Sequence, residues 1–209
     1  MKTIKAGYEI LTPIDGKEIL KSIEIAARTC YKSEDLITDE SANKLVKKLI
    51  ERGHEAMIEH APAISVKYTC DRGVSHELVR HRLCSWAQES SRYCNYSKDK
   101  FGNEITVIEP LFFNKNEGSY DIWKHSCETA EKAYFELLDI GAKPEEARSV
   151  LPNSLKTEIV MTANIREWRH FFKLRTDKAA HPQIRELARP LLKEFQARIP
   201  LLFDDITYM

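Results

Sequence analysis

"AISVKYT", residues 63–69, alternates Ile64, Val66 and Tyr68 with Ser65, Lys67 and Thr69. That period of two marks a strand with one buried face, because successive side chains of extended backbone point to opposite sides. The segments around it keep a different period. Residues 17–31 set Ile19, Ile23, Ala26, Ala27 and Cys30 at helical spacing; residues 41–52 do the same with Ala42, Leu45, Val46 and Leu49, and Gly53 follows as a stop. "EITVIEP" (104–110) has weaker strand character, and residues 118–140 predict a long helix with Trp123, Ala130, Leu137 and Leu138 inward and Gly141 at its end. Pro144 opens a short helix carrying Arg148, a further helix fits 165–175, and the last starts at Pro182. That last helix buries Ile184, Leu187, Leu191 and Phe195, and Pro190 is expected to kink or split it. Strands and helices mix without a βαβ rhythm. The expectation is an α+β (mixed α/β) fold, a central sheet flanked by helices, forming a single domain over residues 1–209.

Composition narrows the class. Apolar residues are 43% and charged residues 31% of the 209, the balance of a soluble globular protein. No apolar run approaches the roughly 20 residues of a membrane span, and "MKTIKAGYEIL" lacks a signal-peptide pattern, so a cytoplasmic protein without membrane partners is expected. Cys30, Cys70, Cys84, Cys94 and Cys127 are widely spaced and read as reduced thiols. Lys plus Arg equal Asp plus Glu at 32 each, which argues against a nucleic-acid coat protein. The seven glycines never stand two apart, which excludes G-x-G-x-x-G, and no P-loop is present. "HEAMIEH" places His54 and His60 six apart, on different faces of a helix, so no metal site is expected there. There is no G-x-S-x-G elbow to activate a serine.

Without glycine loops, arginine is the natural grip for phosphate, since its rigid fork gives two parallel charge-assisted bonds. Two segments are rich in it. In "RHRLCSWAQESSRY" (80–93), read on a helix, Arg80, His81 and Arg82 would fan around the axis at about 100° intervals. In "NIREWRHFFKLRTDKAAH" (164–181), Arg166, Arg169, His170 and Lys173 share a face that reads as solvated. Trp168, Phe171, Phe172 and Arg175 share the other. Arg175 therefore either snorkels out at the helix end or is a desolvated guanidinium kept for an anionic partner.

These residues resemble the flavin-dependent thymidylate synthases. The family signature, R-H-R then seven residues then Ser, is met by Arg80, His81, Arg82 and Ser90. "AARTCY", "GHEAMIEH", "EEARSVLP" and "TANIREWRHFFKLRTD" match further blocks in order, from about residue 20 to 190. Departures include Ala87-Gln88 where many relatives carry Asn-Glu, His170 for a common Asn, Ala179 where some have His, and Cys30 for a frequent Ser.

The resemblance implies a homotetramer that makes dTMP from dUMP, with 5,10-methylenetetrahydrofolate giving the carbon and NADPH reducing FAD. It implies FAD contacts at His54, Ala56, Arg80, His81, Arg82, Gln88, Asn164, Ile165, Arg166 and His170. It implies dUMP contacts at Glu77, Leu78, Val79, Arg80, Gln88, Glu89, Ser90, Ser91, Arg92, Arg148 and Arg175. Arg175 is the expected catalytic group, stabilising charge on the uracil ring, with Arg92 and Arg148 on the phosphate. A nucleic-acid binder stacking bases on Trp86, Tyr93 and Tyr96 would show salt-sensitive binding of RNA or DNA, and a non-catalytic flavin-binding relative would be yellow but inactive.

Overall fold

The computed structural model describes residues 1–98 and 101–208. Asp15 shows how local chemistry starts an element: its carboxylate accepts from the Lys17 and Glu18 N–H groups and opens α1, Gly16–Thr29. α1 buries Ile19, Ile23 and Ala27, and α2 (Ser41–Glu51) buries Val46 and Leu49. Gly53 follows with φ +69°, the left-handed conformation that glycine adopts without strain. The strands are β1 (Lys2–Ile4), β2 (Gly7–Ile10), β3 (Ile64–Asp71), β4 (Ser85–Gln88), β5 (Thr106–Ile108) and β6 (Lys156–Ala163). β1 pairs in parallel with β5, Thr3 opposite Val107, and the larger sheet has the order β2-β3-β6-β4. The remaining helices are α3 (Arg72–Leu78), α4 (Gly118–Asp139), α5 (Pro144–Ala147), α6 (Ile165–Arg175), α7 (Pro182–Arg198) and α8 (Pro200–Phe203). The mixed α/β class is as the sequence predicts.

Two compact units are interleaved along the chain. The first comprises residues 1–7, 68–80 and 87–160, with a core of Tyr96, Ile105, Val107, Cys127, Tyr134, Ala147 and Leu155. α4 supplies Cys127 and Tyr134 to this core, and Trp123 packs against it while its Nε1–H donates to Ser154 Oγ at 2.9 Å. The second comprises residues 8–67, 81–86 and 161–209. Its core is an aromatic stack in which Trp168, Phe171, Phe172, Phe195 and Phe203 meet largely edge to face, the arrangement ring quadrupoles favour. The Trp168 indole N–H is satisfied by the Ile64 carbonyl at 3.1 Å.

Three expectations need correction. The R-H-R segment is not helical: α3 ends at Leu78, Val79 caps it, and Arg80–Leu83 lie in turns and coil before β4. α7 is not split; Pro190 sits exposed inside a continuous helix. Arg169 is not on a solvated face. It is 3% exposed and forks both terminal nitrogens onto Asp205, at 2.7 and 2.6 Å, while also donating to the Leu202 carbonyl.

Removing Asp205 would take the carboxylate from that buried guanidinium, which keeps its bond to the Leu202 carbonyl. Because Asp205 itself is 45% exposed, Asp205→Ala is expected to cost about 1–3 kcal/mol in urea denaturation, against under about 1 kcal/mol for a pair exposed on both sides. The Arg169 hydrogen bonds hold the Asp205 carboxyl below its usual pKa against a smaller opposing effect of burial. The folded-state pKa is the lower one. This contribution is therefore present above the unfolded carboxylate value of about 3.9 and is lost as pH falls through the depressed folded value.

Candidate active site

In the second unit the polar and charged side chains converge on α6. Asn164 caps the helix, its Oδ1 accepting from the Glu167 N–H at 2.9 Å, which leaves the Ile165 and Arg166 N–H groups at the first turn. The Ile165 side chain is buried, so only its backbone faces outward chemistry, while Arg166 and His170 are exposed. His54 precedes a 3-10 turn, Glu55–His60, that packs on α6 and exposes Ala56. From this turn Glu59 accepts from Arg166 Nη1 at 2.5 Å, and Glu55 lies 3.6 Å from Arg166 Nε and 3.9 Å from Lys173 Nζ. A cavity of about 370 Å³ opens there, lined among others by Leu83, Asn164, Arg166, Glu167, His170 and Lys173. Its size is at the low end for small-molecule sites. Exposed cations beside helix-terminal N–H groups suit a phosphate-bearing, acceptor-rich ligand such as part of a dinucleotide.

Behind that surface lies a buried chain of polar groups. His81, 4% exposed, places Nδ1 3.1 Å from Glu167 Oε1, and Arg175 Nε–H donates to its Nε2 at 3.0 Å. Arginine only donates, so Nε2 must be the acceptor and the proton of the neutral ring sits on Nδ1, donating to the Glu167 carboxylate. Burial lowers the His81 pKa below its ordinary value; Glu167 opposes this, and the Arg175 charge reinforces it. The Trp86 indole N–H donates to the His81 carbonyl at 3.3 Å and fixes the backbone of the turn. His81, Glu167 and His170 form the one group of three metal-ligand-type side chains found among the described residues, but both His81 nitrogens are committed to hydrogen bonds. Arg175, half-buried at the end of α6, thus turns its Nε inward to the imidazole, while Arg82 is exposed.

In the first unit a second cluster forms. Arg148, just after α5, donates from Nη1 to Ser91 Oγ and from Nε to the Glu145 carbonyl, both at 3.2 Å. Arg92 stands 3.5 Å from Glu145 Oε2, with its guanidinium over the Tyr93 ring. Ser90 nucleates the turn, its carbonyl accepting from the Tyr93 and Cys94 N–H groups. Arg92 and Arg148 therefore meet at Glu145, with Ser90 and Ser91 in the adjoining turn. Gln88 instead donates to Thr157 Oγ1 at 3.3 Å, and Glu89 accepts from Lys156 Nζ at 3.0 Å. Burial opposes the charge on Lys156, yet Glu89 and Glu158 hold its pKa above the ordinary value. Of the α3 segment, Leu78 is core, Glu77 is half-buried, and Val79 and Arg80 are exposed.

Residue type alone does not single out Glu55, Glu59 and Glu145, which contact these arginines, or Glu167, which contacts His81. The spacing of Glu55 and Glu59 by four residues in "GHEAMIEH" was the available signal.

The family profile described as "Thymidylate synthase complementing protein" matches residues 14–201. A flavin-dependent thymidylate synthase of Corynebacterium glutamicum is 31% identical over 97% of this chain and 85% of its own length, and one of Pyrococcus furiosus is 34% identical over 91% and 78%. A UMP/dUMP methylase, PolB, from Streptomyces cacaoi, solved with 5-Br dUMP, superposes with a TM-score of 0.77 over 98% of this chain and 96% of its own, at 22% identity, and so shares the fold. Matched by that profile over most of its length and by relatives at 31–34% identity, the chain belongs to the thymidylate synthase complementing protein family, Thy1.

Proposed function

We propose that this chain is a flavin-dependent thymidylate synthase, a methyltransferase that converts dUMP to dTMP with 5,10-methylenetetrahydrofolate as carbon donor and NADPH as reductant. Family membership over nearly the whole chain supports the activity, and the observation that carries the mechanism is Arg175 anchored through Nε to His81. When bound, FAD supplies the electron pair that completes the methyl group. Arg166, His170 and the N–H groups of Ile165 and Arg166 hold its acceptor groups, with His54, Ala56, Asn164 and Arg82 bordering it. Such binding requires Glu59 to share Arg166 with the ligand.

C5 of uracil is a weak carbon nucleophile, so electron density must be raised in the ring. Addition of a thiolate is one route, but burial pushes the Cys84 thiol, beside Glu167, up to about 12, and likewise Cys70. These thiols stay protonated at neutral pH. Arg175 instead stabilises charge that builds on N3 and its flanking carbonyls, a preorganised cation in a water-poor setting. Arg92 and Arg148 hold the phosphate, with Ser90 and Ser91 orienting it. Residues 1–209 act as one functional domain of a homotetramer whose sites combine residues of several subunits. Its partners are small molecules rather than nucleic acid. Among the described residues no helix is long and apolar enough to cross a membrane, and the cytoplasm is the proposed location.

Purified protein supplied with FAD should retain it through gel filtration and show an oxidised-flavin absorption band that bleaches on anaerobic addition of NADPH. Protein that stays colourless after reconstitution contradicts the proposal.

A further inference from the structure

We infer that Glu167 is a positioning residue for the reaction, acting through the tautomer it fixes on His81 to set the plane of the Arg175 guanidinium. This inference rests on the role of Arg175 proposed above.

A neutral imidazole can carry its proton on either nitrogen, and only one choice is compatible with Arg175. With the proton on Nδ1, Nε2 presents a lone pair to the Arg175 Nε–H; with the proton on Nε2, two donors face each other. Glu167 removes the ambiguity because its carboxylate accepts at Nδ1, 3.1 Å away, and is itself buried. The placement is rigid at each end. Glu167 lies in the first turn of α6, where its own N–H is held by the Asn164 cap, and Arg175 ends the same helix. His81 is packed between them, with the Phe171 ring at 5.2 Å and the His170 ring at 5.6 Å, centroid to centroid. The titratable or charged groups acting on His81 are thus Glu167, Arg175 and His170. One helix therefore carries both the orienting carboxylate and the catalytic guanidinium, joined through an imidazole from the R-H-R turn. Misorientation of this kind degrades the chemical step more than substrate capture, since the phosphate is held elsewhere.

The test uses the full-length, FAD-loaded protein labelled with 15N-histidine, the His81 signals being assigned by their loss in His81→Gln. The parent should show a protonated Nδ1 and an unprotonated Nε2 at His81. In Glu167→Met, which removes the acceptor at similar volume, a substantial population should move its proton to Nε2. The kcat for dTMP formation should then fall by about 10- to 100-fold with KM for dUMP changed less than about 3-fold. Glu167→Gln keeps a carbonyl acceptor and should stay within about 5-fold of the parent kcat. A parent His81 protonated on Nε2, a Glu167→Met protein with parental kcat, or one whose tautomer is unchanged would overturn the inference. If Glu167→Met does not fold, the parent spectrum and Glu167→Gln decide: Nδ1–H with near-parental kcat supports it, and Nε2–H or a loss beyond about 10-fold overturns it. A parent that makes no dTMP sinks the functional reading itself, whereas an active parent with the wrong tautomer sinks this inference alone.

Discussion

Arg175→Lys is expected to lower dTMP formation by about 100- to 1000-fold while leaving the fold and the flavin spectrum intact. The substitution keeps the charge, so the loss isolates geometry. Arg175 Nε–H is committed to His81 Nε2, and the planar fork carries that anchor and the remaining N–H donors in one rigid group. An ammonium on a flexible stem offers one nitrogen. It can satisfy the imidazole or approach the ring, and it has no second centre with fixed direction. Single-turnover rates measured with saturating dUMP would show the effect in the chemical step; a Lys variant that matches the parent would show that Arg175 supplies charge alone.

Arg148→Ala should act differently, raising KM for dUMP by about 10- to 100-fold with a smaller effect on kcat. The substitution removes a charge-assisted contact to phosphate worth about 1.5–3 kcal/mol. Arg148 is held in place by the Ser91 hydroxyl and the Glu145 carbonyl, and Arg92 stands over the Glu145 carboxylate, so one acidic residue organises both arginines. Deoxyuridine, which lacks the phosphate, provides the control: the parent and Arg148→Ala should handle it alike. A variant whose KM is unchanged would place the phosphate elsewhere.

The elements with long, regular periods were legible in the sequence. α1, α2 and α4 fall within two residues of their expected bounds and α6 matches them, and β3 shows the alternating burial read from "AISVKYT". β6 was not read, because Ile159, Val160 and Met161 run together and hide the alternation in which Thr157, Ile159, Met161 and Ala163 are buried. β1, β2 and β4 span three or four residues, too few to set a period. At the site, the arginines and Ser90 could be found by type and spacing. Their partners could not. Arg169 looked solvated because Asp205, 36 residues away, is invisible to a helical wheel. Glu167 looked like an ordinary acid at a helix start, and only the fold brings it to His81, 86 residues earlier.

The most direct measurement is dTMP formation from dUMP by the FAD-loaded protein, followed by chromatography with 5,10-methylenetetrahydrofolate and NADPH present. dTMP should form in amounts exceeding the enzyme, and none should form when any one of FAD, the folate or the reductant is omitted. Protein that binds FAD and is bleached by NADPH yet forms no dTMP would contradict the proposed function.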